Sequence, residues 1–344
     1  MAYRYIGNKT ALLPHLIRTV ERHVPRGGVV ADLMCGTASV AEALRVAGYR
    51  VIASDLMTYA VHHARVRLLL DRAPRFTKLG MGRYEAILQE LANLDGASGL
   101  FVQEYSDAGS PAAGCPPRRY FTSENAARID AIRARLSEWE SDGLLTTRER
   151  SLLRHDLIMA VNDVANIAGT YGHFRSSWSN NALRPLRLLP TRFIRGPSVE
   201  HTVLQGAAED VAQVSRADLC YLDPPYTKRQ YAANYHIIET LARGDEPHAI
   251  GVSGLRDWRD QYSAFCSKRQ IQDAFATIIG KMECPRFLIS YSEDGLVPVG
   301  SLTSFFETFG RVELSSIAHK RFRSNDSALG PTVAEYLIYL EVER

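Results

Sequence analysis

Three short apolar runs, each ending on a carboxylate, constrain the fold of this chain more than any other feature. Val29-Val30-Ala31 runs into Asp32, Val51-Ile52-Ala53-Ser54 into Asp55, and Leu219-Cys220-Tyr221-Leu222 into Asp223. Strands buried on both faces of a parallel sheet read as unbroken apolar runs, and such sheets bind ligands at the carboxyl ends of their strands. Between the first two runs lie Gly36 and then Val40, Ala43, Leu44 and Ala47 at helical spacing. Strand, glycine turn, helix and strand make a βαβ unit. Residues 201–205 and 287–291 offer two further strands. Residues 311–317 and 334–342 are β-rich with a polar loop between them, which predicts an antiparallel hairpin at the edge of the sheet.

The middle of the chain has a different period. Ile129, Ile132, Leu136 and Trp139 form a helical stripe after the start signal Thr122-Ser123, and Leu153, Leu157, Val161 and Val164 form another after Thr146-Thr147. The expected organisation is therefore an α/β domain from residues 1–74 and 196–344, with a helical insertion at 75–195. Near the N-terminus, Leu12, Leu13, Leu16 and Ile17 predict an amphipathic helix after the segment Tyr5-Ile6-Gly7-Asn8-Lys9-Thr10.

Composition narrows the class. With 344 residues, 46% of them hydrophobic, the chain can bury a full core. It holds no apolar run approaching the roughly 20 residues of a membrane span, and no secretory leader is visible. Its five cysteines are scattered without a Cys-x-x-Cys pair, which argues against a disulfide framework and a zinc ribbon. A reducing cytoplasm is the simplest setting. The ten histidines show no His-Glu-x-x-His spacing, so no metal is expected.

The sharpest chemical signal is Asp223-Pro224-Pro225-Tyr226. Two consecutive prolines fix φ and remove two backbone donors, which holds the chain extended after the strand. A carboxylate followed by carbonyls suits an amino group with two N–H donors, and the tyrosine offers a flat face for a base. Gly36, between a strand and a helix, permits a tight turn and close approach by a ligand. A dehydrogenase-type site would need three glycines in a Gly-x-Gly-x-x-Gly pattern, and only Gly36 is present. Asp55, ending the second strand, is placed to accept hydrogen bonds from a ribose.

Charge is distributed unevenly, although the net charge is only +3. From Val164 to Val199 there is no Asp or Glu, but there are five arginines (175, 184, 187, 192 and 195), interleaved with Tyr171, His173, Phe174 and Trp178. Arginines contact phosphates and read guanine edges, and aromatics stack on unpaired bases. Lys228 and Arg229 follow the catalytic-loop candidate, and Lys320, Arg321 and Arg323 lie in the loop of the terminal hairpin. Arg175, Trp178, Arg184 and Arg187, with these five basic residues, are the candidate DNA contacts.

Taken in order, Tyr5 to Lys9, the Gly36 loop, Asp55 and Asp223 to Tyr226 resemble the Dam-like (D12 class) adenine-specific DNA methyltransferases. The stretch from Tyr221 to Thr240 is most similar to the modification methylases of the group that includes the partner of the FokI restriction enzyme. Residues 169–174 and 289–292 point to the same group. The resemblance implies a Rossmann-like S-adenosylmethionine-dependent methyltransferase fold with a target-recognition insertion. It implies double-stranded DNA as substrate, a cognate restriction endonuclease as partner, and methyl transfer to the amino group of a flipped-out adenine. Tyr5 and Lys9 would contact the methyl donor, with Lys9 near its carboxylate. Asp32 and Gly36 would shape its methionine end, Asp55 would bind the ribose, and Asp223 would lie between donor and base. Asp210 would supply one more contact, because Ala207 stands where the family often has an acid. Ala38 replaces the second glycine of the donor loop. Two alternatives stay open: an amino-methyltransferase acting on RNA or a protein amide, and a DNA-binding relative without activity.

Overall fold

The computed structural model describes residues 5–7, 9–112, 114–197, 199–320 and 332–343. Seven strands, β1 (Val29–Asp32), β2 (Arg50–Asp55), β3 (Thr202–Gln205), β4 (Leu219–Leu222), β5 (Arg286–Ser292), β6 (Gly310–Lys320) and β7 (Thr332–Val342), form one sheet in the order β3-β2-β1-β4-β5-β7-β6. The first five are parallel, and β7 runs antiparallel to both β5 and β6. The predicted βαβ unit and terminal hairpin are both present. β4 is buried at every position because helices cover both faces, which is why its sequence is apolar without alternation. Ala31, Leu33, Leu222, Phe287, Ile289 and Ile338 meet Phe275, Ile278 and Phe306 in the core beneath the sheet.

The chain goes outward from β1 to β2 and β3, then returns to lay β4 on the other side of β1. The order therefore reverses between β1 and β4. Loops leaving the two strands diverge there and open a crevice at their carboxyl ends, where open α/β sheets take their ligands. Register places Asp32 opposite Ala53 of β2 and Tyr221 of β4. The three strand-ending carboxylates thus stand on three adjacent strands.

The chain divides into two compact units. The sheet unit comprises residues 7–68, 195–230 and 261–344. The second comprises residues 1–6, 69–194 and 231–260, and is larger than the insertion expected at 75–195. Buried arginines explain the addition. Arg154, on the helix Thr147–Val164, reaches Glu140 at 2.8 Å and the Leu241 carbonyl at 3.0 Å. Arg133 binds Glu246 at 2.7 Å, and Arg118 binds Glu104 and the carbonyls of Gly251 and Val252. These anchors hold residues 231–260 in the helical unit although they follow β4 in sequence. The two long helices begin at the predicted caps, with Thr122 accepting from Asn125 and Thr146 forming a capping box with Glu149. After Val164 the helical expectation fails. Residues 165–194 contain no helix or strand, because Gly169, Gly172, Pro185 and Pro190 interrupt any helical run. Among the described residues no helix is long and apolar enough to cross a membrane.

Candidate active site

The turn after β1 is tied to the strands on both sides of it. The Leu33 N–H donates to the Tyr221 carbonyl of β4 at 3.4 Å, and the Cys35 N–H to the Ser54 carbonyl of β2 at 2.9 Å. The Gly36 N–H donates to the Asp55 carboxylate at 2.8 Å, and the other Asp55 oxygen accepts from the Met57 N–H at 2.9 Å. Gly36 takes a positive φ of 49° that a glycine adopts without strain. Ala38 takes φ 58° as the residue before the helix Ser39–Val46, so this alanine sits in a backbone region suited to glycine. Its methyl group is fully buried, and that packing offsets part of the left-handed strain.

Asp32 stands at the base of this turn. It is fully buried, and neither carboxylate oxygen has a hydrogen-bond partner of normal geometry among the described residues. Burial, then the carboxylates of Asp223 and Asp55, push its pKa well above the usual range. The Met34 and Ala41 backbone N–H groups offset that shift only in part, and a buried carboxyl beside two other acids is a place that a cation would stabilise.

Across the switch point, Asp223 leaves β4 in an extended segment. Its carboxylate meets the Lys9 ammonium at 3.0 Å, and the same ammonium lies 2.8 Å from Glu335 of β7. Glu335 also accepts from the Ser290 hydroxyl of β5 at 2.8 Å. Lys9 is buried, yet Asp223, Tyr226 and Glu335 outweigh the cost of burial and hold it charged. Burial pushes the Asp223 pKa up to about 6; Lys9 opposes that shift and Glu335 adds to it. The Lys9 ammonium also lies 5.4 Å from the centre of the Tyr226 ring. Tyr226 meets Tyr291 edge-on at 6.2 Å, and its carbonyl accepts from Leu296 at 3.0 Å. The Tyr291 hydroxyl accepts from the Val297 N–H at 3.1 Å. Gly295 closes against this pair, where an added Cβ would come within 2.2 Å of the Tyr291 ring. Because Tyr291 is fully buried, Gly295→Ala is expected to cost about 1–3 kcal/mol of stability by overpacking, read as a lower urea midpoint at unchanged slope.

Comparison with known proteins decides the family. The family model "D12 class N6 adenine-specific DNA methyltransferase" matches residues 5–302. The chain belongs to this family. It is 32% identical to the type II methyltransferase M.NlaIII of Neisseria lactamica, covering 98% of both chains. It is 29% identical to modification methylase StsI of Streptococcus sanguinis and 30% identical to the type II methyltransferase M.FokI of Planomicrobium okeanokoites, matching over 98% of its own length. In those two cases it spans about half of the relative, 52% of each.

Within this D12 chain the sheet unit brings together Lys9, Asp32, Gly36, Asp55, Asp223 and Tyr226. Ser290 and Tyr291, from the segment 289–292 that resembles the same group, join them, as does Glu335, which had no motif to mark it. Asp210 is exposed in the first turn of the short helix Ala208–Gln213 after β3, four residues past Gly206, whose N–H donates to the Asp55 carbonyl at 3.1 Å. Tyr5 belongs to the helical unit, stacked on Tyr235 at 4.7 Å and tilted to Tyr231 at 5.7 Å. The backbone of Ile6 accepts from the Tyr231 hydroxyl at 3.2 Å and donates to that of Tyr235 at 2.7 Å.

The acid-free segment of the helical unit has an ordered frame. The side chain of Asn166 donates to the carbonyls of Arg119 and Arg175 and accepts from the Ser179 N–H. Asn125 donates to the Arg184 carbonyl at 2.9 Å and accepts from the Leu186 N–H at 2.8 Å. Asp156, whose pKa burial raises to about 7, accepts from Tyr84 and Thr191, each at 2.6 Å. Arg175, Arg184, Arg187 and Arg192 remain exposed, and none is in an ion pair among the described residues. Trp178 is half-buried beside them. In the sheet unit Lys228 and Arg229 are exposed. Lys320 ends β6, while Arg321 and Arg323 lie outside the described residues.

Proposed function

We propose that this chain transfers a methyl group from S-adenosylmethionine to the N6 amino group of an adenine turned out of duplex DNA, within a restriction-modification system. The observation that carries the proposal is the Asp223-Pro224-Pro225-Tyr226 loop. It leaves β4 at the switch point, with its carboxylate on the buried Lys9 ammonium and beside the Gly36 turn.

The chemistry of the residues supports the donor. S-adenosylmethionine carries an α-ammonium and a sulfonium, and Asp32 and Asp223 are buried or half-buried acids with an excess of negative charge around them. Asp55 already accepts two N–H groups, but each carboxylate oxygen has a second lone pair for a ribose hydroxyl. Lys9 has one N–H beyond its two carboxylates, and that one is left for the donor's carboxylate. Tyr5 and Asp210 are further proposed contacts. When bound, the donor supplies a methyl group that leaves sulfur as the carbon–nitrogen bond forms, with the sulfur keeping the electron pair.

The chain's own groups orient the acceptor. Asp223 and the Pro224 carbonyl take the two N–H groups of the adenine amine, which directs its lone pair at the methyl carbon and raises its electron density. Pro225 keeps the segment extended, and Tyr226 stacks on the flipped ring. Positioning of this kind supplies much of the rate. Arg175, Trp178, Arg184, Arg187, Lys228, Arg229, Lys320, Arg321 and Arg323 hold the duplex. A cognate endonuclease and a cytoplasmic location belong to the same proposal.

Incubation with methyl-labelled S-adenosylmethionine and mixed-sequence duplex DNA, followed by digestion to nucleosides, tests it. Label is expected in N6-methyl-2′-deoxyadenosine; label only in RNA, in protein or in cytosine overturns the reading. Arg184→Ala and Arg187→Ala are each expected to weaken DNA binding and to flatten the slope of log affinity against log salt by about one unit. An unchanged slope in both would remove these residues from the phosphate surface.

A further inference from the structure

Glu335 poses a charge problem. It is buried on β7, and β5 separates that strand from β4. A lysine and an aspartate form a neutral pair by themselves. Adding a second buried carboxylate leaves the group with one surplus negative charge, which is costly away from water. The arrangement is nonetheless specific. One Glu335 oxygen, Oε1, takes both the Lys9 ammonium and the Ser290 hydroxyl, each at 2.8 Å. Lys9 is thereby stretched between two acids, with Asp223 Oδ1 at 3.0 Å on its other side.

We propose that Glu335 is a positioning residue for methyl transfer, holding Lys9 as a shared counter-ion so that Asp223 remains an un-neutralised acceptor for the substrate amino group. This inference rests on the methyltransferase reading above. A carboxylate closed into a pair with one ammonium is a poor acceptor for a second donor. Glu335 divides the ammonium between two acids and restores that capacity. The surplus charge also lies beside Asp223, where the substrate nitrogen becomes positive as it gives up its lone pair. That nitrogen afterwards loses its extra proton to solvent.

The groups acting on Asp223 are Lys9 from the N-terminal segment, Glu335 from β7, Tyr221 from β4 and Asp32 from β1, with Tyr226 two residues past Pro224 and Asp294 acting on Tyr226. Burial is the largest influence on Asp223, Lys9 lowers its pKa and Glu335 raises it. Removing the Glu335 charge therefore leaves Lys9 to Asp223 alone and moves the Asp223 pKa down. A residue that served only packing would reduce the rate equally at every pH.

The test is the pH profile of single-turnover methylation of duplex DNA by the full chain and by Glu335→Gln, which keeps the side-chain shape and an acceptor for Ser290. The plateau rate is expected to fall roughly 10–100-fold, with S-adenosylmethionine affinity by calorimetry changed less than about threefold. The acid limb of the profile is expected to move to lower pH by about half a unit or more. Glu335→Asp should recover part of the plateau, with its limb nearer to that of the wild type. Should Glu335→Gln fail to fold, Ser290→Ala, which releases Glu335 from its orienting hydroxyl, should show a smaller fall in plateau rate. A limb that stays in place, whether the plateau falls or not, overturns the role of Glu335. A wild-type chain that produces no N6-methyl-2′-deoxyadenosine overturns the methyltransferase reading itself, so the two failures are distinct.

Discussion

Asp223→Asn is expected to slow methyl transfer roughly 10²–10³-fold, about 3–4 kcal/mol of transition-state stabilisation, while DNA and S-adenosylmethionine still bind. The side chains have nearly the same volume, so packing around β4 is preserved. What changes is that the negative charge is lost and one acceptor oxygen becomes a donor NH₂. The carboxylate accepts an N–H of the adenine amine, whereas the asparagine amide can present its own NH₂ to that donor. The exchange also leaves Lys9 with Glu335 as its one acidic partner. The pH profile separates these effects from a loss of structure. In the wild type, transfer needs Asp223 as the carboxylate, whose pKa burial lifts to about 6, so the rate rises with pH through that value and then levels. The Asn variant has no such proton to lose, and the limb near pH 6 should disappear. Rapid-quench measurement from pH 5 to 8 checks both points. A variant that kept more than about a tenth of the rate, or kept the limb, would show that Asp223 is not the acceptor.

Features confined to one strand end were legible in the sequence. Asp32, Asp55 and Asp223 each follow an apolar run directly, with Gly36 in the turn just after the first, and parallel β-structure places the ends of such runs together. The terminal hairpin was legible for the same reason, because β6 and β7 are neighbours in sequence and in the sheet. Glu335 was not. It lies just before the apolar run Tyr336 to Leu340 with nothing local to single it out, and its position depends on β7 inserting between β5 and β6, which no local pattern encodes. Residues 231–260 were misplaced for a related reason. They follow the catalytic loop closely, but buried Arg118, Arg133 and Arg154 from the helical unit capture them, and a buried arginine has the same letter as an exposed one. The exposed arginines of residues 165–194 stood out only through the lack of acids around them, and that lack is a local property. Ala38 was visible as a departure from glycine, but its left-handed backbone and buried methyl group were not.

Lys9→Met should be the most damaging change to stability in the sheet unit. Lys9 is 4% exposed and is the shared counter-ion of two carboxylates. Methionine fills similar volume and supplies no charge, so Asp223 and Glu335 are left facing each other without a counter-ion. Removing one partner from a buried ion pair typically costs about 3–5 kcal/mol, and here one deletion strands two charges. The pH dependence follows from the direction of the Asp223 shift. Its folded-state pKa, about 6, already stands above the model-compound value of 3.8, and loss of Lys9 raises it further. A carboxyl with a raised folded-state pKa contributes its stability below the unfolded value and loses it as pH rises through the folded value. The deficit of the variant against the wild type should therefore be smaller at pH 5 and grow as the pH climbs past about 6. Urea unfolding at pH 5 and pH 8 measures it, with the slope m as the check that the transition stays two-state. Equal deficits at the two pH values would mean that Lys9 acts through packing, and the charge arrangement assigned to Asp223 and Glu335 would have to be abandoned.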